Sequence, residues 1–290
     1  MRKTVAALLA LLLIVAASSA QSRIHALSFY SPSVNDTMHV VVLLPTEYDH
    51  ARAYPVLFLL HGYDGDQTDW TRRTDLVSHT AGLAMIVVMP EARNSWYVNS
   101  ETDHESRYEE YFMHDLPKFV NSIYPIDTTK EAIAGLSMGG YGALELALRH
   151  PEKFQFAGDL SGAIIVPGVV DSVIAHPNEP VPDQQGSILP SILKAFGENN
   201  REFRNDHNVF DLLRREHEMK LPYFFFAVGI QDGYRGFLPA TRRFTDMLRN
   251  YGKPYEYHEV PGIHNWEFWN MEIVPLLARM EKVMKLGCSN

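Results

Sequence analysis

AIAGLSMGGYGALELAL, residues 132–148, reads as an apolar strand turning into a helix, yet it carries four glycines, Gly135, Gly139, Gly140 and Gly142. Each weakens a strand or helix interior by roughly 0.5–1 kcal/mol relative to alanine, so local propensity does not select them. Gly135-Leu136-Ser137-Met138-Gly139 matches G-x-S-x-G in the strand-to-helix context that motif requires. A serine lifted out on so sharp a turn needs neighbours without side chains, because the turn forces backbone segments together. The glycines therefore predict an exposed Ser137 hydroxyl. The same turn brings the first N–H groups of the following helix near that hydroxyl, so Met138 is a candidate donor to a developing oxyanion.

A serine hydroxyl is a weak nucleophile until a base takes its proton, and the base needs a carboxylate to fix its tautomer. In folds built around this turn the chain order is Ser, then Asp or Glu, then His. Of 13 histidines, His264 in VPGIHNW falls between the last predicted strand and the last helix, whereas His258 lies inside that strand. Asp232 in FFFAVGIQDGY follows an apolar strand between Gly229 and Gly233, which permit a tight loop; Asp159 and Asp246 are its rivals. A second oxyanion donor belongs in the loop after an earlier strand. His61-Gly62-Tyr63 occupies such a loop, so the backbone N–H of Tyr63 is the candidate and His61 is read as a structural residue of the turn. The aromatics Trp96, Tyr97, Tyr234 and Trp266 are candidates to line a substrate pocket, as Tyr63 and Trp269 could also be.

Working outward, strands are expected at 38–45, 55–60, 85–90, 131–135, 154–159, 223–229 and 255–260, and helices at 108–124, 140–150, 239–251 and 266–286. Several strands are short and almost wholly apolar, as in strands buried on both faces of a parallel sheet. Alternation with helices predicts an α/β fold, a mostly parallel sheet covered on both faces. Residues 164–220 break the rhythm with HPNEPVPDQQG and FGENNREFRND and are read as an insertion over one end of the sheet, a partial lid.

The chain has 290 residues, 46% of them hydrophobic, enough for one large α/β domain over residues 21–290. Residues 1–20, with Arg2 and Lys3 ahead of a short apolar run and small residues up to Ala20, have the layout of a cleaved secretory signal. The run is short for a bilayer core of about 30 Å, so no stable membrane insertion is expected. The formal charge of −9 becomes about −11 without Arg2 and Lys3, which argues against nucleic acid and anionic membranes as partners. Cys288 is the single cysteine, so no internal disulfide is available. Asp64, Asp66 and Asp69 lack the full pattern of a calcium loop and are read as solvated, with no metal site.

GLSMGGYGAL, HGYDGDQTDW, NSWYVNS, YEEYFMHDLPKFV, FGENN and HNWEFW, in this order, resemble the esterase D family of α/β-hydrolases over about residue 25 to the C-terminus. Within that family the chain is most similar to secreted tributyrin-esterase-like and feruloyl-esterase-like members, and S-formylglutathione hydrolases are relatives. The resemblance implies the α/β-hydrolase fold and a carboxylic-ester hydrolase that uses no cofactor. The family's triad and oxyanion positions fall on Ser137, Asp232, His264, Met138 and Tyr63. The expectation is a secreted or periplasmic serine esterase for short acyl or aromatic acyl esters, small or linked to polysaccharide. The N-terminal signal speaks against a cytosolic formaldehyde pathway. Two other readings stay open, an acyltransferase on the same framework and a non-catalytic carbohydrate-binding protein. Oligomeric state is not legible.

Overall fold

The apolar runs pair into one eight-stranded sheet in a computed structural model that describes residues 23–176 and 185–286. The leader at 1–20, residues 177–184 of the insertion and Cys288 lie outside the described residues. The strands are β1 (Ile24–Ser31), β2 (Asp36–Leu43), β3 (Tyr54–Leu60), β4 (Ile86–Pro90), β5 (Ile126–Leu136), β6 (Phe154–Leu160), β7 (Tyr223–Gly229) and β8 (Tyr255–Val260). Their order is β1-β2-β4-β3-β5-β6-β7-β8. Pairing is parallel from β4 and β3 through to β8, and β2 is antiparallel to both of its neighbours. This is the α/β-hydrolase fold.

Among the described residues the helices are α1 (Asp69–Arg73), α2 (Leu76–His79), α3 (Tyr108–Glu110), α4 (Leu116–Ile123), α5 (Met138–Arg149), α6 (Val166–Ala175), α7 (Gln185–Phe196), α8 (Arg201–Asp206), α9 (Val209–Glu216), α10 (Phe237–Asn250) and α11 (Trp266–Met284). A π turn at Tyr111–Asp115 joins α3 to α4. They cover the sheet from two sides. On one side Leu144 of α5, Val120 of α4 and Phe244 of α10 pack with Ile133 and Phe226. On the other, Leu76 of α2 and Ile273 and Leu276 of α11 pack with Ala134, Phe225 and Leu57. Neighbouring positions on a strand thus serve opposite cores, which is why β3, β7 and the half of β5 over 132–136 read as unbroken apolar runs. Fully burying each such Leu, Ile or Phe contributes roughly 1.5–3 kcal/mol.

Two differences from the sequence reading have physical causes. Strand β1 was not expected: it is an edge strand whose residues alternate between exposed and half-buried, so it has no apolar run to announce it. The 164–220 insertion carries α6 to α9. Polar groups hold it together and fasten it to α5. Within it the Arg204 guanidinium, 3 % exposed, donates to Asp171 Oδ1 at 2.7 Å and to the carbonyls of Gly197 and Glu198 at 2.9 and 3.0 Å. His207 Nδ1 meets Glu145 Oε1 of α5 at 2.7 Å, and the Tyr141 hydroxyl donates to the His207 carbonyl at 2.8 Å.

The topology gathers the ends of the parallel strands. Tyr63 follows β3, Ser137 follows β5, Asp232 follows β7 and His264 follows β8, all at the carboxyl edge where open α/β sheets bind ligands.

Candidate active site

Ser137 sits between β5 and α5 with φ +52° and ψ −116°, a left-handed conformation that costs a non-glycine residue on the order of 1–3 kcal/mol. Three backbone bonds hold it there: Ser137 N–H donates to Leu160 O at 3.0 Å, and Ser137 O accepts from Tyr141 and Ala163 N–H, both at 3.1 Å. The glycines act as the sequence implied. A Cβ at Gly139 would stand 2.5 Å from His61 O, and one at Gly135 would collide with the Gly139 carbonyl. A Cβ at Gly142 would stand 2.5 Å from the Tyr97 ring.

His264 Nε2 lies 2.9 Å from Ser137 Oγ, and His264 Nδ1 lies 2.8 Å from Asp232 Oδ2. The geometry fits an imidazole that donates from Nδ1 to the carboxylate and accepts the serine proton at Nε2. Asp232 is buried, with 1 % of its side chain exposed, and its Oδ1 accepts the Tyr234 N–H at 2.9 Å. The loops carrying the two residues are stitched together. Gln231 N–H donates to Gly262 O at 3.0 Å, Gly262 N–H donates to Gln231 Oε1 at 2.7 Å, and Gly229 has room for no Cβ against the Gly262 carbonyl. Edge-on contacts with Tyr234 and Trp269, at ring-centroid distances of 4.7 and 4.9 Å, fix the imidazole plane.

The rival residues lie elsewhere. His258 is held in β8 by Glu256 and Glu272, and Asp246 pairs with Arg249 on the outside of α10. His61 is a structural residue of its turn: Nδ1 donates to Gly62 O at 2.7 Å, Nε2 accepts the Ala92 N–H at 2.9 Å, and burial lowers its pKa. It ties the β3 loop to the β4 loop.

Asp159, the last rival, ends β6 wholly buried between Gly140 and Gly162, and neither carboxyl oxygen has a hydrogen bond. Burial, offset only in part by the neighbouring Gly162 amide, pushes it up to about 7. An unfolded Asp titrates near 3.9, so between about pH 4 and pH 7 the folded state holds a proton that the unfolded state has lost. Stability therefore falls as pH rises through that window, by roughly 4 kcal/mol at about 1.4 kcal/mol per unit. In Asp159→Asn the loss disappears. Thermal melts are expected to show variant and native chain within a degree or so of each other at pH 4 and the variant higher by at least about 5 °C at pH 8. A gap that does not change with pH would remove Asp159 from the titration.

Met138 is the first helical residue of α5, so its N–H has no intrahelical carbonyl to reach. Neither it nor the Tyr63 N–H is engaged by another group among the described residues. The serine opens into a cavity of about 460 Å³ lined by Gly62, Tyr63, Tyr234, His264, Trp266 and Trp269, with Arg73, Asp64, Asp69 and Ile188 completing its walls.

Of the four aromatics expected to contact substrate, Tyr234 and Trp266 line this cavity, but Trp96 and Tyr97 do not. Both are 1 % exposed. Consecutive left-handed backbone angles, φ +58° and +61°, accompany rings turned inward. Trp96 Nε1 donates to Ser191 Oγ at 3.1 Å, with its ring 6.2 Å from that of Tyr63, and the Tyr97 hydroxyl donates to His61 O at 3.0 Å. They brace the loop that carries Tyr63.

Sequence reading missed Arg73 and Ile188, and it read Asp69 as solvated, whereas the fold buries it to 7 % exposure in the cavity wall. Arg73 Nε donates to Asp69 Oδ1 at 2.9 Å and its guanidinium lies 5.5 Å from the Trp266 ring centroid. Asp69 also accepts the Asp66 N–H, Asp66 Oδ1 accepts from Thr68, and Asp64 Oδ1 accepts from Asn94, so all three loop carboxylates have protein donors. A five-residue helix and one isoleucine of the insertion carry no motif that could have pointed to the cavity. No helix among the described residues is long and apolar enough to cross a membrane.

Comparison with known proteins identifies a family and a shared fold. The model of the Esterase family matches residues 31–280. The chain is 27% identical to an acetyl esterase of Caldicellulosiruptor saccharolyticus over 89% of its own length and 97% of the relative's. Among solved structures, a ferulic acid esterase is 25% identical and superposes with a TM-score of 0.66 over 91% of this chain and 99% of that one. The fluorophosphonate-binding serine hydrolase F of Staphylococcus aureus, 24% identical, shares the fold with a TM-score of 0.74 over 89% of this chain and 97% of its own.

Proposed function

Since this chain belongs to the Esterase family and is a carboxylic-ester hydrolase of the serine type, we propose that Ser137 is its nucleophile, His264 its general base and acid, and Asp232 the carboxylate that orients His264. The observation that carries this reading is the unbroken hydrogen-bonded line from Ser137 Oγ through both nitrogens of His264 to a buried Asp232, opening into a cavity.

The hydroxyl of Ser137 attacks the ester carbonyl as its proton passes to His264 Nε2. The carbonyl π pair moves onto oxygen, and the resulting oxyanion is held by the N–H groups of Met138 and Tyr63. Collapse re-forms the carbonyl and breaks the bond to the alcohol oxygen, which takes the proton from His264. Water then attacks the acyl-enzyme by the same route, returns the proton to Ser137 and releases the acid. Asp232 stabilises the imidazolium in both halves.

The substrates are short acyl or aromatic acyl esters, including those on polysaccharides. This is supported by the acetyl esterase and ferulic acid esterase among the relatives, and by a cavity in which Arg73, Asp64 and Asp69 stand beside Tyr234 and Trp266. The N-terminal signal supports a secreted or periplasmic location.

A fluorophosphonate probe tests the assignment, because it phosphonylates only an activated serine. Mass spectrometry of the labelled chain is expected to find one adduct, on the peptide containing Ser137, and none in Ser137→Ala. An adduct on another serine, or p-nitrophenyl acetate turnover retained by the variant, would remove Ser137 from the mechanism.

A further inference from the structure

A second cavity of about 400 Å³ lies beyond the wall of the first, lined chiefly by Asn94, Ser100, Ser106, Tyr108, Ser191 and Lys194. The two share a partition and a wall. The partition is Asp64 with Asn94: Asp64 N–H donates to Asn94 Oδ1 at 2.8 Å and Asn94 Nδ2 donates to Asp64 Oδ1 at 2.7 Å. Asp64 faces the catalytic cavity and Asn94 the second one. The shared wall is α7. Ile188 lines the catalytic cavity, and Ser191, Lys194 and Ala195 line the second. Spacings of three and four residues put these on one helical face, so the same face runs from one cavity into the other over about 10 Å.

The chemistry of the second cavity selects a neutral ligand rich in hydroxyl groups. Its charged side chains, Arg93, Lys194, Asp103 and Glu105, balance in sign. The cations are already paired, Lys194 with Asp103 at 2.8 Å and Arg93 with Asp36 at 2.6 Å, so an anion gains no free counter-charge, and Glu105 Oε2 already accepts from Asn35 Nδ2 at 3.3 Å. Hydrogen-bonding groups are left over. The hydroxyls of Ser106 and Tyr108 have no hydrogen-bond partner among the described residues, although Tyr108 is only 4 % exposed. Its phenol is pushed up to about 12 by burial, so it remains an O–H donor at any working pH. Strained backbone surrounds the partition, with Asp64 at φ +56° and Arg93 at φ +49°, conformations that persist where the fold over-determines them.

We infer that the two cavities form one extended cleft and that the second binds glycosyl units of a neutral glycan, remote from the ester, so that the protein favours acylated oligosaccharides and polysaccharides over acylated single sugars. This deepens the esterase reading and rests on it. Ester cleavage itself stays at Ser137, and the second cavity contributes only affinity along the chain.

The test compares kcat/KM for acetylated tetrasaccharides of xylose, glucose and mannose with that for the corresponding acetylated monosaccharides, and with p-nitrophenyl acetate as the reference. For at least one sugar the tetrasaccharide is expected to be favoured by roughly tenfold or more, the amount two or three net hydrogen bonds supply. In Tyr108→Phe that ratio falls about three- to tenfold, and in Ser106→Trp, which fills the cavity, it approaches one. A purely structural role would lower both members of the ratio together and leave it unchanged. Ratios near one for all three sugars in the native chain, or a ratio untouched in both variants, overturn the subsite while leaving the esterase reading in place. Failure of the native chain to turn over p-nitrophenyl acetate would instead overturn the esterase reading.

Discussion

Replacement of His264 by alanine is expected to lower kcat toward p-nitrophenyl acetate by about five to six orders of magnitude while the chain stays folded. Without Nε2 at 2.9 Å the Ser137 hydroxyl has no acceptor for its proton. No neighbour can take over: both ring nitrogens of His61 are engaged by backbone and the ring is buried, and His258 is fixed between Glu256 and Glu272. The residual rate is what binding and the oxyanion donors supply unaided. KM is expected to change little, since the other cavity walls remain. Steady-state kinetics, with circular dichroism as the check on folding, decide the matter. A loss smaller than about a hundredfold would assign the base elsewhere.

Asp232→Asn is expected to cost about 10⁴ in kcat, less than the loss of the base but from a change of one atom. The two carboxyl oxygens have separate duties: Oδ1 accepts the Tyr234 N–H at 2.9 Å, and Oδ2 accepts from His264 Nδ1 at 2.8 Å. An asparagine keeps its oxygen toward the Tyr234 N–H, which leaves its NH₂ facing Nδ1. The imidazole must then accept at Nδ1 and carry its proton on Nε2, where Ser137 needs a lone pair. Glycine packing between the Gly229 and Gly262 loops keeps the geometry in place, so the defect is one of tautomer. The measurement is kcat/KM for the variant beside Asp232→Ala. A loss below about tenfold in both would show that the orienting acid is another residue.

The elbow was legible because the chemistry and the backbone impose one local pattern: Ser137 needs its positive φ, and Gly135, Gly139 and Gly142 stand where the close approaches leave no room for a Cβ. His264 and Asp232 were legible for a related reason. Each follows a recognisable apolar strand in a loop with glycine, and chain order fixes which edge of the sheet they reach. His61 was likewise read correctly as part of a turn. By contrast Trp96 and Tyr97 look in sequence like pocket-lining aromatics, and only their burial and their hydrogen bonds to Ser191 and His61 show that the rings face inward. Strand β1 escaped notice because an edge strand with one solvated face needs no apolar run.

The sequence by itself therefore determined the fold class, the strained turn that carries Ser137 and the chain order of the residues that meet it, because strand burial, helix periodicity and a strained turn each act over a few neighbouring residues. The tertiary structure alone decided the walls around the chemistry. Arg73 and Ile188 join the cavity at Ser137 from two distant segments, and the face of α7 carries one cavity into the next. Contacts of that range depend on how the sheet orders its strands and where the insertion is anchored, for which no short stretch of residues holds a signal.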